Sequence, residues 1–192
     1  MNKERITDYI NKEIETLKNL NIDKIDEVID ILDNALKTNK KIYVFGNGGS
    51  GSTASHITSD FNKAIFKKID KRFNFICLND NIPLMLAISN DVSYEDIFVY
   101  QLKGHLNKDD IIIGISGSGN SKNIIKACMY AKEIGSTIIG FTGYNGGKLK
   151  EIANYSLDSN INDMQISEDI HLMFEHLMIK LFYEKYGDGT HE

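Results

Sequence analysis

The chain has 192 residues, 42% of them hydrophobic and 26% charged, a globular composition that suits one domain with a full core and is short for two. The net charge is −5, and the one basic cluster (Lys67, Lys68, Lys71, Arg72) is flanked by acids, which argues against a nucleic-acid partner. No apolar run approaches the ~18 residues of a membrane span, and the polar start Met-Asn-Lys-Glu-Arg carries no apolar leader, so the chain is read as cytoplasmic with no membrane partner.

Two helices open the chain. Ile6, Ile10, Ile14 and Leu17 mark one face of an amphipathic helix over 4–20. Ile25, Val28, Ile29, Leu32, Ala35 and Leu36 mark a second over 23–38, with Asp23 as its N-cap. A doubly wound domain does not need this pair, so residues 1–38 are read as packing partly against another subunit. A strand at 41–45 then runs into Gly46-Asn-Gly-Gly-Ser-Gly-Ser52 and a helix reaching about Phe66. A second strand spans 73–78, and short helices are expected at 83–89 and 94–106. A third strand, 110–116, is apolar throughout, as a strand covered on both faces should be. It enters Gly117-Ser-Gly-Asn-Ser121 and a helix at 121–133. A fourth strand at 136–141 meets the turn Gly143-Tyr-Asn-Gly-Gly147, and a weak fifth lies near 155–157. The last helix is expected over 168–186, with Ile170, Phe174, Leu177, Met178 and Leu181 inward. Residues 187–192 read as a flexible tail. Cys77 and Cys128 sit in apolar runs with no CxxC pairing and read as buried free thiols.

Strand–helix alternation with short connections predicts a single α/β domain over 1–192: a doubly wound parallel sheet, flavodoxin-like, preceded by two helices. Two strand–Gly/Ser loop–helix units stand out. In the first, Asn47, Gly48, Gly49 and Ser50 lie where a helix begins. Glycine frees the backbone N–H groups there, and the helix dipole favours an anion without a lysine. The spacing matches neither GxxxxGK[ST] nor GxGxxG. In the second, Ser116, Gly117, Ser118 and Ser121 repeat the arrangement at another strand end, the edge where open α/β sheets bind ligands. Two loops rich in hydroxyls and poor in cations suit a phosphomonoester on a polyhydroxy compound.

These loops carry a resemblance. The chain resembles the sugar isomerase (SIS) domain family, and within it the phosphoheptose isomerases, which interconvert sedoheptulose 7-phosphate and glycero-manno-heptose 7-phosphate. The matching blocks are Phe45 to Ser50, His56, Ser89-Asn90-Asp91, Gly114 to Ser121, Gly143 to Lys148, and the last helix as far as His176. The resemblance implies an aldose–ketose isomerase, a homotetramer built through the N-terminal helices, supplying heptose for surface polysaccharide. It implies that Ser50, Ser116, Ser118, Ser121 and nearby amides hold phosphate, and that Asn47 and Asp91 hold sugar hydroxyls. It also implies that His56, Asp60, Glu168 and His176 surround the reaction centre and bind one Zn²⁺ per subunit, with Asp60 as base and His176 as acid.

The residues themselves offer the same chemistry. An enediol mechanism needs a base, an acid and a stabiliser of the enediolate. His56 and Asp60, four apart, project from one helix face, and two histidines with two carboxylates suit a first-row divalent ion. The chain departs from the family pattern in four places. Asp60 stands where Glu is usual, and Glu168 where Gln is usual, so the longer carboxylate has changed sides and Glu168 becomes a second candidate for the base. Gly117 stands where Thr is common. Ala64, beside Lys63, stands where Arg is usual. Glu168 and His176 are eight residues apart, ~12 Å along a helix, and both reach one ion only if Glu168 sits at a frayed helix start. Glu168, His171, Glu175 and His176 of the last helix are all candidates for this chemistry, with a solvent-facing position the alternative for His171 and Glu175, and Asp91 is equally a helix cap or a ligand of a sugar hydroxyl. Two other readings stand beside the heptose isomerase: an isomerase of another sugar phosphate, and a non-catalytic SIS-domain regulator that binds a protein.

Overall fold

The computed structural model describes residues 1–64 and 66–187. Apart from Gly187, the expected tail lies outside the described residues. Five parallel strands form one sheet in the order β2-β1-β3-β4-β5: β1 Lys41–Gly46, β2 Asn74–Cys77, β3 Ile111–Ser116, β4 Thr137–Thr142 and β5 Tyr155–Asp158. The helices are α1 Asn2–Lys18, α2 Ile22–Thr38, α3 Gly49–Lys63, α4 Ile82–Asp91, α5 Val99–Leu102, α6 Lys122–Ile134, α7 Gly147–Ile152 and α8 Met164–Tyr186. None of the described helices is long and apolar enough to cross a membrane.

The period of two along each strand divides the core. Ile42 and Val44 of β1, with Ile111, Ile113 and Ile115 of β3, pack under α2, α3 and α8 on Leu32, Ile57, Phe61 and Phe174. Tyr43 and Phe45, with Ile112, face the other way, onto Phe98, Leu102, Ile124 and Leu149. Cys77 and Cys128 are buried free thiols, as read from their apolar surroundings.

Several local expectations need correction. Asn21, not Asp23, caps α2, accepting from the Lys24 N–H. Residues 94–106 are not one helix: a 3₁₀ turn at Tyr94–Asp96 precedes the single turn of α5. Ile97, Phe98 and Val99 are all buried in succession, which a regular amphipathic helix cannot arrange, and Gly104 turns left-handed (φ 77°). Helix α8 begins at Met164, four residues early, because Asp163 accepts from the Ile166 N–H as N-cap. Its inward stripe is Ile166, Ile170, Phe174, Met178 and Phe182, so Leu181 points outward and Leu177 is half-buried.

The N-terminal pair divides in its packing. Helix α2 gives its apolar face to this chain's own core, with Val28, Leu32, Ala35 and Leu36 buried. Helix α1 is held by polar links, Tyr9 to Asp169 at 2.5 Å and Lys12 to Asp163 at 2.8 Å. Its Ile6, Ile10, Ile14 and Leu17 stay exposed.

Candidate active site

The chain leaves β1 towards β2 on one side and β3 towards β4 on the other, while β1 and β3 pair side by side, Gly46 opposite Ile115. This is the switch point of a doubly wound sheet, where a crevice opens beyond the carboxyl ends. Both Gly/Ser loops emerge there. The Asn79 side chain clamps the first loop, accepting from the Gly46 N–H at 3.1 Å and donating to its carbonyl at 2.8 Å. A Cβ on Gly46 would lie 2.6 Å from the Ser50 backbone, so only glycine allows this turn. Asn47 and Asn123 exchange amide hydrogen bonds of 2.9 and 2.8 Å, tying the first loop to the start of α6. Tyr94 donates to the same Asn47 oxygen. The Asn47 amide is thus committed to joining the loops, although the residue also lines the cleft.

The second loop rests on the turn after β4. Gly143 donates to the Gly117 carbonyl at 2.8 Å, Leu149 to that of Gly119 at 2.9 Å, and Lys148 to the Asn120 side chain at 3.1 Å. This explains why both blocks stand out in the sequence. Ser116 Oγ and Ser121 Oγ lie 3.2 Å apart. Ser121 is the N-cap of α6 but makes no side-chain cap bond, and the Ile124 N–H donates to the Asn123 side chain at 2.9 Å instead.

Asn47, Gly48, Gly49, Ser50, Ser116, Gly117, Ser118, Ser121 and Glu168 line one cleft of about 280 Å³, together with Ile115 and Met164. Asp91 is not among its lining residues. It sits at the carboxyl end of α4, exposed, accepting from Asn90 at 2.8 Å, and does not cap that helix's start. Two contacts in the cleft account for departures noted in the sequence. A Cβ on Gly117 would lie 2.5 Å from Met164 Sδ, so Met164 fills the space a Thr side chain would take. A Cβ on Gly49 would lie 2.5 Å from a Glu168 carboxylate oxygen. Glu168 therefore lies against the first turn of α3, where the helix dipole stabilises its charge.

Farther along the same helix pair, α3 and α8 bring four side chains together. One ligand atom from each of His56, Asp60, Glu175 and His176 lies within 4.8 Å of the others. His56 Nε2 is 3.5 Å from Asp60 Oδ2 and 3.9 Å from Glu175 Oε2, and His176 Nε2 is 3.2 Å from Glu175 Oε2. The two imidazoles meet edge to face at 5.1 Å. Three of the four expected ligands are thus gathered, with Glu175 in the group in place of Glu168. Helix α8 is regular from Met164, so Glu168 is not at a frayed start. Glu175 is 0% exposed, which rules out the solvent-facing alternative, and among the described residues neither of its oxygens has a hydrogen-bond partner. Burial, with the Asp60 charge beside it, pushes its carboxyl up to about 7, while Lys63 pulls it back. His171 is also fully buried, against the solvent-facing alternative, and neither ring nitrogen makes a well-formed hydrogen bond. Burial holds its pKa down near 4, with the Thr142 backbone offsetting part of the effect. Met164, Asn79 and Asn123 are the residues sequence reasoning missed, and none carries a sequence signal. Glu175 stands among the last-helix candidates, a carboxylate next to the Phe174 position of an inward apolar stripe.

Sheet order, paired loops and helix pair together define a SIS domain. A family model described as SIS domain matches residues 7–143, and the chain belongs to that family. Among its relatives it is similar to phosphoheptose isomerases. It is 35% identical over 178 residues to a probable phosphoheptose isomerase of Thermoplasma acidophilum, covering 93% of this chain and 97% of that one. It is 38% identical over 161 residues to the phosphoheptose isomerase of Thermodesulfovibrio yellowstonii, covering 84% and 80%. The solved phosphoheptose isomerase of Francisella tularensis superposes with a TM-score of 0.86 at 25% identity, covering 96% of this chain and 99% of that one.

Proposed function

We propose that the protein is an aldose–ketose isomerase that converts sedoheptulose 7-phosphate to D-glycero-D-manno-heptose 7-phosphate by enediol proton transfer. The observation that carries the reading is the arrangement along α3 and α8. Gly49 and Glu168 border the loop cleft, and His56 and His176 follow seven and eight residues later, about 10–12 Å along their helices. A long sugar phosphate anchored at one end then presents its C1–C2 edge towards the other. The relatives named phosphoheptose isomerases support the choice of sugar.

In this reading Ser116, Ser118 and Ser121, with the first amides of α6, hold the phosphate, and Ser50 extends the hydrogen-bonding wall. Glu168 lines the cleft and makes no ion pair among the described residues, so its carboxylate is available to take the proton from C1 and return it to C2. Asp60 turns Oδ2 to His56 at 3.5 Å and Oδ1 to Lys63 at 3.8 Å. His176 is the acid in this reading, passing the hydroxyl proton from O1 to O2. His56, Asp60 and His176 have the donor chemistry for a divalent ion such as Zn²⁺, which when bound supplies positive charge to the enediolate oxygens. The exposed stripe of α1 supports assembly with further copies of the chain, a tetramer in our reading, and the product would feed heptose into surface polysaccharide.

Incubation of the purified protein with sedoheptulose 7-phosphate and a panel of other ketose phosphates tests this, first with a chelator and then with Zn²⁺ restored. Aldose phosphate is expected from the seven-carbon sugar. Turnover of a different sugar alone would reassign the substrate, and none at all would overturn the enzyme reading.

A further inference from the structure

The buried Glu175 has no role in the chemistry above, yet it is the one member of the histidine–carboxylate group that is fully shielded from water. An ionised carboxylate kept from water with no hydrogen bond loses several kcal/mol, and proteins retain such groups when something pairs with them. Among the described residues neither Glu175 oxygen has a hydrogen-bond partner, and the side chain is 0% exposed. Oε2 points at the two histidines, 3.2 Å from His176 Nε2 and 3.9 Å from His56 Nε2. Those spacings suit ligand atoms arranged about one small cation better than a hydrogen-bonded pair. The histidine side chains are about half exposed, so an ion reaches the group from solvent.

We infer that Glu175 is the fourth protein ligand of a divalent cation held with His56, Asp60 and His176, and that Glu168 is left outside the coordination shell. The inference rests on the reading of those three residues as metal-holding and does not depend on which sugar is turned over. It has a consequence for this chain's chemistry. Two carboxylates and two imidazoles bind a dication with the charge balanced, whereas a site drawing on Glu168 would take the proposed base out of the cleft. Glu175 supplies the buried anion, so Glu168 can stay against Gly49 with its carboxylate open to substrate.

Metal binding tests this directly. The full-length protein, its Glu175→Gln and its Glu168→Gln variants are stripped with chelator and titrated with Zn²⁺ by calorimetry, then with Co²⁺ while the visible absorption of the bound ion is followed. Loss of groups that merely orient ligands costs about 10–100-fold in metal affinity, so loss of a direct ligand should cost at least about tenfold. E175Q should weaken Zn²⁺ by that factor and alter the Co²⁺ bands, and E168Q should leave both close to the parent protein. The metal-free E175Q variant should melt no lower than the metal-free parent, because an unpaired buried carboxylate is replaced by a neutral group of the same shape. If E168Q, and not E175Q, loses Zn²⁺ and alters the Co²⁺ bands, the inference is wrong, and the E168Q result alone decides this should E175Q fail to fold. If the parent chain binds neither ion, the site itself is absent. Failure of the isomerase assay with metal binding intact would overturn the proposed function and leave this inference standing.

Discussion

At the scale of single residues, the chain's two carboxylate exchanges make sense only together. Asp60 is short and engaged by His56 and Lys63, while Glu168 reaches the cleft and rests on the first turn of α3. Glu168→Gln should lower kcat on the heptose phosphate by about 10²–10⁴-fold, the usual range for a lost general base, with KM little changed. Asp60→Asn should lower activity as well, and extra Zn²⁺ should recover part of it, because Asp60 also stands among the metal-holding residues. Full activity in E168Q would remove Glu168 from the role of base. Gly117 belongs with Met164 in the same way. Gly117→Thr alone should raise KM, since the new side chain meets Met164 Sδ, and adding Met164→Ala should restore much of the loss. Additive losses in a double-mutant cycle would contradict that coupling.

His171 sets a pH dependence. Its pKa is near 4 in the folded chain and 6.5 when unfolded, so between those values the unfolded chain binds the proton first. Stability is full above pH 6.5 and falls as pH drops towards 4, by about 3 kcal/mol if fully expressed. His171→Leu should flatten that part of the melting-temperature profile while leaving Tm at pH 7 close to the parent's. A profile as steep in the variant would place the acid sensitivity elsewhere.

At the scale of elements, α1 and α2 look alike in sequence and behave differently. Both show the helical apolar period, yet α2 closes this chain's core and α1 leaves Ile6, Ile10 and Ile14 in solvent. Periodicity records that a face is apolar and does not say which surface covers it. Replacing Ile10 and Ile14 together with Lys should shift sedimentation to a smaller species with the circular dichroism of the folded chain unchanged. An unchanged sedimentation coefficient would remove α1 from the assembly interface. The same limit explains what could be read around the site. The strands and both Gly/Ser loops were legible because continuous apolar runs end abruptly in residues that only turns favour. The stretch 94–106 was not, because its consecutive buried Ile97, Phe98 and Val99 obey the needs of the sheet face above Phe45 and not a helical period. The burial of Glu175 was not either, because it exists only once α8 packs on α3.

At the scale of the whole molecule, the order β2-β1-β3-β4-β5 does the positioning. It sets two helix starts side by side at the sheet's carboxyl edge, and it sends α3 and α8 past each other so that their middle turns meet. The loop cleft, with Glu168 on its wall, and the histidine–carboxylate group therefore lie along one helix pair. Nothing in this geometry needs a cationic side chain at the phosphate, which fits a net charge of −5.

The central claim is that this site moves a proton between C1 and C2 of a seven-carbon ketose phosphate. It is tested most directly by incubating the Zn²⁺-loaded protein with sedoheptulose 7-phosphate in D₂O and following the sugar by NMR. The account predicts conversion to the aldose phosphate with deuterium entering at C2, and loss of both in E168Q. Unchanged ketose, with no deuterium taken up at any carbon, would contradict it.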